Sequence, residues 1–273
     1  MKVNVKNKIL WNVEHQPFHL ANPSPWPLFC SILVFQFLLT LLLFFHNYSN
    51  IINKIFFGTL ILIFIICLWF YNIIIEATFQ GNHTKKVQKG LKMGMILFIT
   101  SEIMFFFSFF WCFFHSSLAP SIWIGNVWPP IGVEFINFWH LPLLNTIILL
   151  SSGVSLTLAH RLLVFGDTVK VIEGLLLTIA WGLFFTFLQY TEYKYTTFSI
   201  NDSVYGSIFF LLTGFHGFHV ILGTILLISC LLRFYFGHFI AVQHIGFECS
   251  IWYWHFVDVV WIFLYLLIYC WGC

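Results

Sequence analysis

The chain alternates between long apolar runs and short polar connections, and seven of the runs are long enough to cross a membrane. A transmembrane helix needs about 20 apolar residues to cross a hydrocarbon layer of roughly 30 Å. The runs are too long and too continuously apolar for the alternating pattern of a membrane β-barrel. We therefore predict an all-α, polytopic membrane protein with seven transmembrane helices. The predicted spans are approximately Leu28–Phe45, Ile55–Ile75, Met93–His115, Leu143–Leu162, Val171–Tyr190, Tyr205–Leu232 and Ser250–Trp271.

Lysine and arginine are distributed unevenly between the two ends of these spans. Ten of the twelve basic residues lie on the side of the N-terminus, whereas Lys54 and Lys194 lie on the other side. Basic residues are enriched in connections that stay inside, which here means the cytoplasm or the mitochondrial matrix. The asymmetry predicts seven spans with the N-terminus inside and the C-terminus outside.

Two connections are longer than simple turns. Residues His115–Pro142 contain several prolines, which break helices, so we predict that this stretch is not helical throughout. Residues Gln80–Lys92 are polar and basic, and we predict that they form a loop. The fourth and fifth spans carry Ser, Thr, Gly and single charges, which predicts that they pack inside the protein.

The composition excludes several classes of protein. Of 273 residues, 60% are hydrophobic and 8% are charged, against roughly 25% charged residues in soluble domains. A net charge of +2 is too small to indicate a nucleic-acid partner. The seven cysteines are scattered and do not resemble a disulfide framework. Only Cys270 and Cys273 form a close pair, and nothing nearby completes a metal site, so we predict no metal.

Glu102 is the clearest ionisable residue inside a predicted span. It lies about 14 Å from the start of the third span, at 1.5 Å per residue, and therefore near the bilayer midplane. Burial disfavours the charged carboxylate, so we expect Glu102 to be protonated at neutral pH. Two interpretations stay open: the carboxyl relays protons, or it is hydrogen-bonded to a neighbouring helix.

The seventh span carries a stripe of polar and aromatic side chains. Glu248, Trp252, His255 and Asp258 are spaced by four, three and three residues, which places them on one helix face. The stripe either joins this helix to others through hydrogen bonds or lines a proton path. The hydrogen-bonded seam is favoured, because polar side chains often join helices in membranes.

The sixth span combines small residues with histidines. Thr213 and Gly217 fit a small-xxx-small packing motif, and His216 and His219 share a face. We interpret these histidines as part of a polar helix seam. The alternative is haem ligation, in which His216 pairs with His255 from another helix, but the spacing is a weak signal for a metal.

Two pairs of residues lie where spans leave the membrane on the basic side. Glu76 and His83 follow the second span, and Arg233 and His238 end the sixth. Such groups beside lysines at a headgroup surface are typical of an anionic-lipid site. A solvated loop that obeys the positive-inside bias is the simpler alternative.

Several unusual runs in this sequence resemble subunit III of mitochondrial cytochrome c oxidase. The resemblance covers essentially the whole chain, in order and at matching spacings. It is carried by Asn22–Pro27 (NPSPWP), Glu76–Thr84 (EATFQGNHT), Gly94–Phe107 (GMILFITSEIMFFF), Phe109–Leu118 (FFWCFFHSSL), Pro142–Val154 (PLLNTIILLSSGV), Thr213–Gly223 (TGFHGFHVILG) and Gly246–Trp261 (GFECSIWYWHFVDVVW).

The resemblance implies a fold and a role. The fold is a V of two bundles, with residues 1–80 forming an N-terminal segment and two helices and residues 81–273 forming five helices. The subunit packs on subunit I, beside subunit II and accessory subunits, and a respiratory supercomplex is a further assembly that the resemblance leaves open. It binds phospholipids in a cleft but no haem or copper, which belong to partner subunits. It lies in the mitochondrial inner membrane, with the N-terminus in the matrix and the C-terminus in the intermembrane space.

The resemblance also assigns residues. Glu102 corresponds to a buried carboxyl that supports proton uptake, and Glu76, His83, Arg233 and His238 correspond to lipid-headgroup positions. The sequence departs from the family where Ile75 replaces a basic residue, which leaves a lipid phosphate to find another donor. Rival interpretations are a transporter or channel, a haem-binding electron carrier, and a quinol oxidase subunit.

Overall fold

Each of the seven apolar runs folds as a helix in the computed structural model, which describes residues 17–241 and 243–272. Helices satisfy every backbone polar group within the segment, as a hydrocarbon environment requires. The seventh helix continues as a π-helical segment, Tyr265–Cys270. The helices are α1 (Trp26–Phe45), α2 (Ile51–Thr78), α3 (Lys85–Leu118), α4 (Leu141–Phe165), α5 (Thr168–Tyr195), α6 (Val204–Tyr235) and α7 (Ile245–Leu264).

All seven helices are long and apolar enough to cross a membrane, which confirms the predicted fold class for the described chain. One boundary was wrong: α3 begins at Lys85, so most of the predicted loop at residues 80–92 is helical. Thr84 caps this helix, because its hydroxyl accepts from the amide of Val87. Hydropathy locates only the part of a helix that lies in hydrocarbon, and lysine and glutamine are good helix formers outside it.

The connections follow the local sequence. The proline-rich stretch after Leu118 contains only a short 3-10 turn at Ile122–Ile124 before α4, which confirms that it is not helical throughout. Helices α4 and α5 are joined through Gly166, whose φ of +87° suits glycine. Asp167 then caps α5 and accepts from the amide of Lys170, and this backbone hydrogen bond lowers the pKa of Asp167.

The chain divides into two compact units, the first ending at Leu91 and the second beginning at Lys92. In the first unit, α1 and α2 pack as a hairpin, and Gly58 of α2 faces the side chain of Gln36 on α1. The second unit contains α4–α7 and most of α3. The proposed division at residues 80/81 and the V-shaped arrangement of two and five helices stay predictions.

Burial distinguishes the helices. We compare the share of buried residues in the most apolar 18-residue stretch of each span. This share is 39% in α4, α5 and α6 and 56% in α7 with its π-helical continuation, against 6–11% in α1–α3. The prediction that the fourth and fifth spans pack inside the protein is confirmed. Helix α7 is the central helix of the second unit, and it buries Trp254 and Trp261 completely.

Small residues allow this close packing. The side chain of Trp254 lies against Gly182 of α5 and Gly223 of α6, where an added Cβ would come within 2.7 and 2.9 Å of the indole ring. The indole nitrogen donates to the Ser152 hydroxyl of α4 at 2.9 Å. Trp254 therefore joins three helices. At Gly217 an added Cβ would meet no described atom of this chain within 4 Å, so the packing role of the Thr213/Gly217 motif stays a prediction.

Candidate functional site

Glu102 of α3 is partly buried and forms a polar pair with the buried His219 of α6. The carboxylate Oε2 lies 3.1 Å from the imidazole Nε2, and the two side chains are 22% and 5% exposed. The other imidazole nitrogen, Nδ1, lies 2.8 Å from the carbonyl oxygen of Phe215. A carbonyl only accepts, so Nδ1 carries a proton and Nε2 faces the carboxyl.

This geometry determines how many protons the pair holds. The hydrogen bond between Nε2 and Oε2 needs one proton, which belongs either to the carboxyl or to the imidazole. In both cases the pair is neutral overall, because a protonated imidazole would face a carboxylate. The hydrogen bond between Glu102 and His219 can therefore form without a net charge on the pair.

Aromatic rings surround the pair. The centroid of the His219 ring lies 4.6 Å from that of Phe215, 5.3 Å from Phe106 and 6.2 Å from Phe256, and the ring stacks on Tyr253 at 6.1 Å. An apolar shell strengthens the hydrogen bond within it by lowering the local dielectric constant. Of the two interpretations of Glu102, the contact with a neighbouring helix is present, and a role in proton transfer stays a prediction.

The stripe on α7 contacts two different helices. At its start, Glu248 forms an ion pair with Lys92 of α3. Farther along, His255 Nε2 lies 3.4 Å from the hydroxyl of Thr157 on α4, and His255 Nδ1 lies 3.7 Å from Asp258. Contacts of this kind are expected of a hydrogen-bonded seam between helices. The functional role of these residues stays a prediction.

His216 is buried within the second unit. Its Nε2 lies 3.2 Å from the backbone carbonyl oxygen of Val257 on α7 and donates to it, and its ring packs against Phe185 and Trp261. His255 has its own partners on α4 and α7. Each imidazole of the suggested haem pair thus has a separate protein contact.

Helix α5 carries a buried carboxyl that the sequence pattern did not indicate. Glu192 of α5 is 2% exposed, and its Oε1 accepts from the Tyr269 hydroxyl at 2.6 Å and from Gln189 at 3.3 Å. The amide of Asn145 on α4 donates in turn to Gln189. Glu192 lies just beyond the predicted end of the fifth span at Tyr190, so it resembled an exposed flanking residue.

In the first unit, Glu76 accepts a hydrogen bond from His19 at 3.2 Å, and the ring of His83 lies 6.4 Å from that of His19. Gly81, with a φ of +69°, ends α2 in a turn in which the amide of Asn82 donates to the Glu76 carbonyl. This turn positions His83 beside the end of α2. His19 lies far away in the sequence, and no spacing indicated it.

The same kind of turn places Arg233 and His238 in the second unit. Gly237 has a φ of +68°, and the amide of His238 donates to the Arg233 carbonyl at 2.9 Å. The guanidinium of Arg233 lies over the ring of Phe239, 4.1 Å from its centroid. A lipid-binding role for both residue pairs stays a prediction, and Cys273 of the CxxC pair lies outside the described residues.

One further cluster contains groups that bind metals. His160 of α4, His244 before α7 and Glu248 of α7 each place one ligand atom within 4.8 Å of the others, and this is the only such group among the described residues. All three lie where α4 ends and α7 begins. The sequence pattern did not single out His244, because this residue precedes the predicted seventh span by six residues.

Comparison with known proteins gives the same family by two routes, a family model and individual relatives. A family model described as cytochrome c oxidase subunit III matches residues 15–273. A cytochrome c oxidase subunit 3 from Pisaster ochraceus is 54% identical over 259 residues, which cover 94% of this chain and 99% of the relative. The protein of that name from Arabidopsis thaliana is 47% identical over 259 residues, covering 95% and 98%.

Proposed function

Because the chain belongs to the cytochrome c oxidase subunit III family, we propose that it is a core, non-redox subunit of that oxidase. Its role is to support oxygen reduction and proton uptake by subunit I through packing and a lipid-filled cleft. The family match along residues 15–273 carries this proposal. The partly buried Glu102–His219 pair supports it, because a carboxyl hydrogen-bonded to an imidazole among aromatic rings can hold a proton.

The proposed partners are subunit I as the main contact, subunit II, accessory subunits and a respiratory supercomplex. Exposed apolar side chains on α1–α3 support such contacts, since only 6–11% of the residues in the most apolar stretch of each helix are buried within this chain. Phospholipid would occupy part of this surface. Its headgroups would bind near Glu76 and His83 in the first unit and near Arg233 and His238 in the second.

The chain itself is proposed to hold no haem and no copper. Protein contacts of His216 and His255 support this view, because each imidazole already has a partner within the second unit. Electron transfer and oxygen chemistry would take place in partner subunits. The catalytic contribution of this chain is then to shape and protect the surroundings of another subunit.

The chain is a multi-pass membrane protein, and we place it in the mitochondrial inner membrane with its N-terminus in the matrix. The uneven distribution of lysine and arginine supports that orientation. Protease access to tags at the two ends, in intact and in opened mitoplasts, tests it.

Removal of the subunit tests the proposed role. The purified oxidase is divided into a sample stripped of this chain by detergent and a sample carried through the same detergent without loss of the chain. We expect equal initial rates of oxygen consumption, followed by a faster loss of activity per turnover in the stripped sample. Equal longevity of the two samples would contradict a supporting role. An immediate loss of all activity would instead place this chain in the catalytic step.

A further inference from the structure

We propose that His160, His244 and Glu248 form a binding site for a divalent transition-metal cation of the Zn²⁺ type. The ammonium of Lys92, which pairs with Glu248, competes with the cation for this site. The site lies in the second unit, where α4 ends and α7 begins. The inference goes beyond the proposed function and does not depend on it. It also departs from the sequence-based expectation that the chain holds no metal.

The distances between ligand atoms suit a small tetrahedral ion. His160 Nε2 and His244 Nε2 lie 3.3 Å apart, and His244 Nε2 lies 3.5 Å from Glu248 Oε1. A tetrahedral Zn²⁺ ion with bonds of about 2.0–2.1 Å holds neighbouring ligand atoms about 3.3–3.4 Å apart. All three atoms lie within 4.8 Å of one another, so a small movement of side chains completes the triangle.

The hydrogen bonding of His244 aims its ring at the site. Its Nδ1 lies 3.2 Å from the carbonyl oxygen of Ile240, which only accepts, so Nδ1 carries the proton. The lone pair of Nε2 therefore points towards His160 and Glu248. A metal-bound histidine commonly donates its other N–H to a backbone carbonyl, which fixes the tautomer. His244 is 7% exposed, so its ring is held in place by packing.

The ligand types indicate which metals fit. Two imidazoles and a carboxylate suit Zn²⁺ and its neighbours in the first transition row, and the fourth position is left for water. Mg²⁺ and Ca²⁺ prefer sites made of oxygen ligands. Zn²⁺ is therefore expected to bind in the presence of excess Mg²⁺.

Lys92 determines how tightly the site binds. Its ammonium forms an ion pair with Glu248, so without a metal it neutralises the carboxylate ligand. A divalent cation must displace this ammonium and bind close to its positive charge. Removal of the charge should therefore strengthen metal binding, although Lys92 is not itself a ligand.

The test is equilibrium dialysis of the purified, complete oxidase complex against ⁶⁵Zn²⁺, with millimolar Mg²⁺ present throughout. Wild-type complex is compared with His160→Gln, Lys92→Met and the matched control His140→Gln. His140 is an exposed histidine outside the cluster. Subunit content and optical spectra establish that each complex is assembled, and binding is read without reference to turnover.

We expect His160→Gln to weaken one Zn²⁺ site by at least about tenfold, since even loss of a ligand's supporting contact costs 10–100-fold. Lys92→Met should strengthen the same site by at least about tenfold, because a positive charge near a dication is removed. His140→Gln should leave the isotherm unchanged.

Two outcomes would overturn the proposal. If Lys92→Met and His160→Gln both bind Zn²⁺ as the wild type does, the cluster is only a histidine–histidine hydrogen bond beside an ion pair. If His160→Gln does not assemble, Lys92→Met alone decides, and an unchanged or weakened affinity in that variant contradicts the proposed competition.

Discussion

Replacement of Glu102 separates a structural carboxyl from an obligatory proton relay. Two variants remove its proton chemistry in different ways: Glu102→Gln keeps a polar group of the same shape, and Glu102→Leu removes the polar group. Both act on one contact, the 3.1 Å hydrogen bond to His219 Nε2. His219 keeps its second hydrogen bond, to Phe215, in either variant.

The magnitudes follow from this contact. The glutamine amide can donate to Nε2, so we expect Glu102→Gln to change the free energy of unfolding by less than about 1 kcal/mol. Leucine leaves Nε2 of a nearly buried histidine without a partner, which costs about 1–3 kcal/mol. The aromatic rings around His219 leave little room for water to replace the lost bond.

The assay combines two measurements on each purified complex. One is the rate of oxygen consumption per complex, and the other is the temperature at which half of this subunit is lost or unfolded. Ser101→Ala is the matched control, because Ser101 is exposed and its hydroxyl bonds only within α3, to the Phe98 carbonyl.

Two results would refute the reasoning. If Glu102→Gln removes most of the turnover while the subunit stays assembled, Glu102 is an obligatory relay and its neutral pairing is not sufficient. If Glu102→Leu is as stable as Glu102→Gln, the contact with His219 contributes nothing measurable. The expected order of stability is wild type, then Gln, then Leu, with near-normal initial turnover in the Gln variant.

Two further predictions concern packing in the second unit. Gly223→Ala should lower stability by about 1–3 kcal/mol, because its Cβ would lie 2.9 Å from the Trp254 ring; Gly217→Ala on the same helix, where nothing lies within 4 Å, should not. Equal thermal midpoints for these two variants would contradict the close packing. Tyr269→Phe should cost about 1–3 kcal/mol by removing the donor to Glu192, and adding Glu192→Leu should recover part of this loss in thermal unfolding. A double variant less stable than Tyr269→Phe would show that the carboxyl has other essential contacts.

The sequence by itself determined the class of the protein and the positions of its spans. Twenty-residue apolar runs leave few alternatives, because hydrocarbon requires every backbone group to be bonded within the segment. The same pattern singled out Glu102, because an ionisable side chain is conspicuous in an apolar run. It failed near span ends, at Lys85, Glu192 and His244, because there polar residues no longer distinguish a helix from a loop.

Only the tertiary structure decided which side chains meet. Glu102 and His219 are 117 residues apart, and His160 and His244 are 84 apart, so no local spacing could pair them. In lipid, helix faces that contact other helices are as apolar as faces that contact acyl chains, so hydropathy does not reveal which face is buried. The shape of the packed helices determines which face is buried, because helices in a membrane pair through close contact and buried hydrogen bonds. Gly223 lies against Trp254, whereas a Cβ added at Gly217 on the same helix would meet no atom of the described residues within 4 Å.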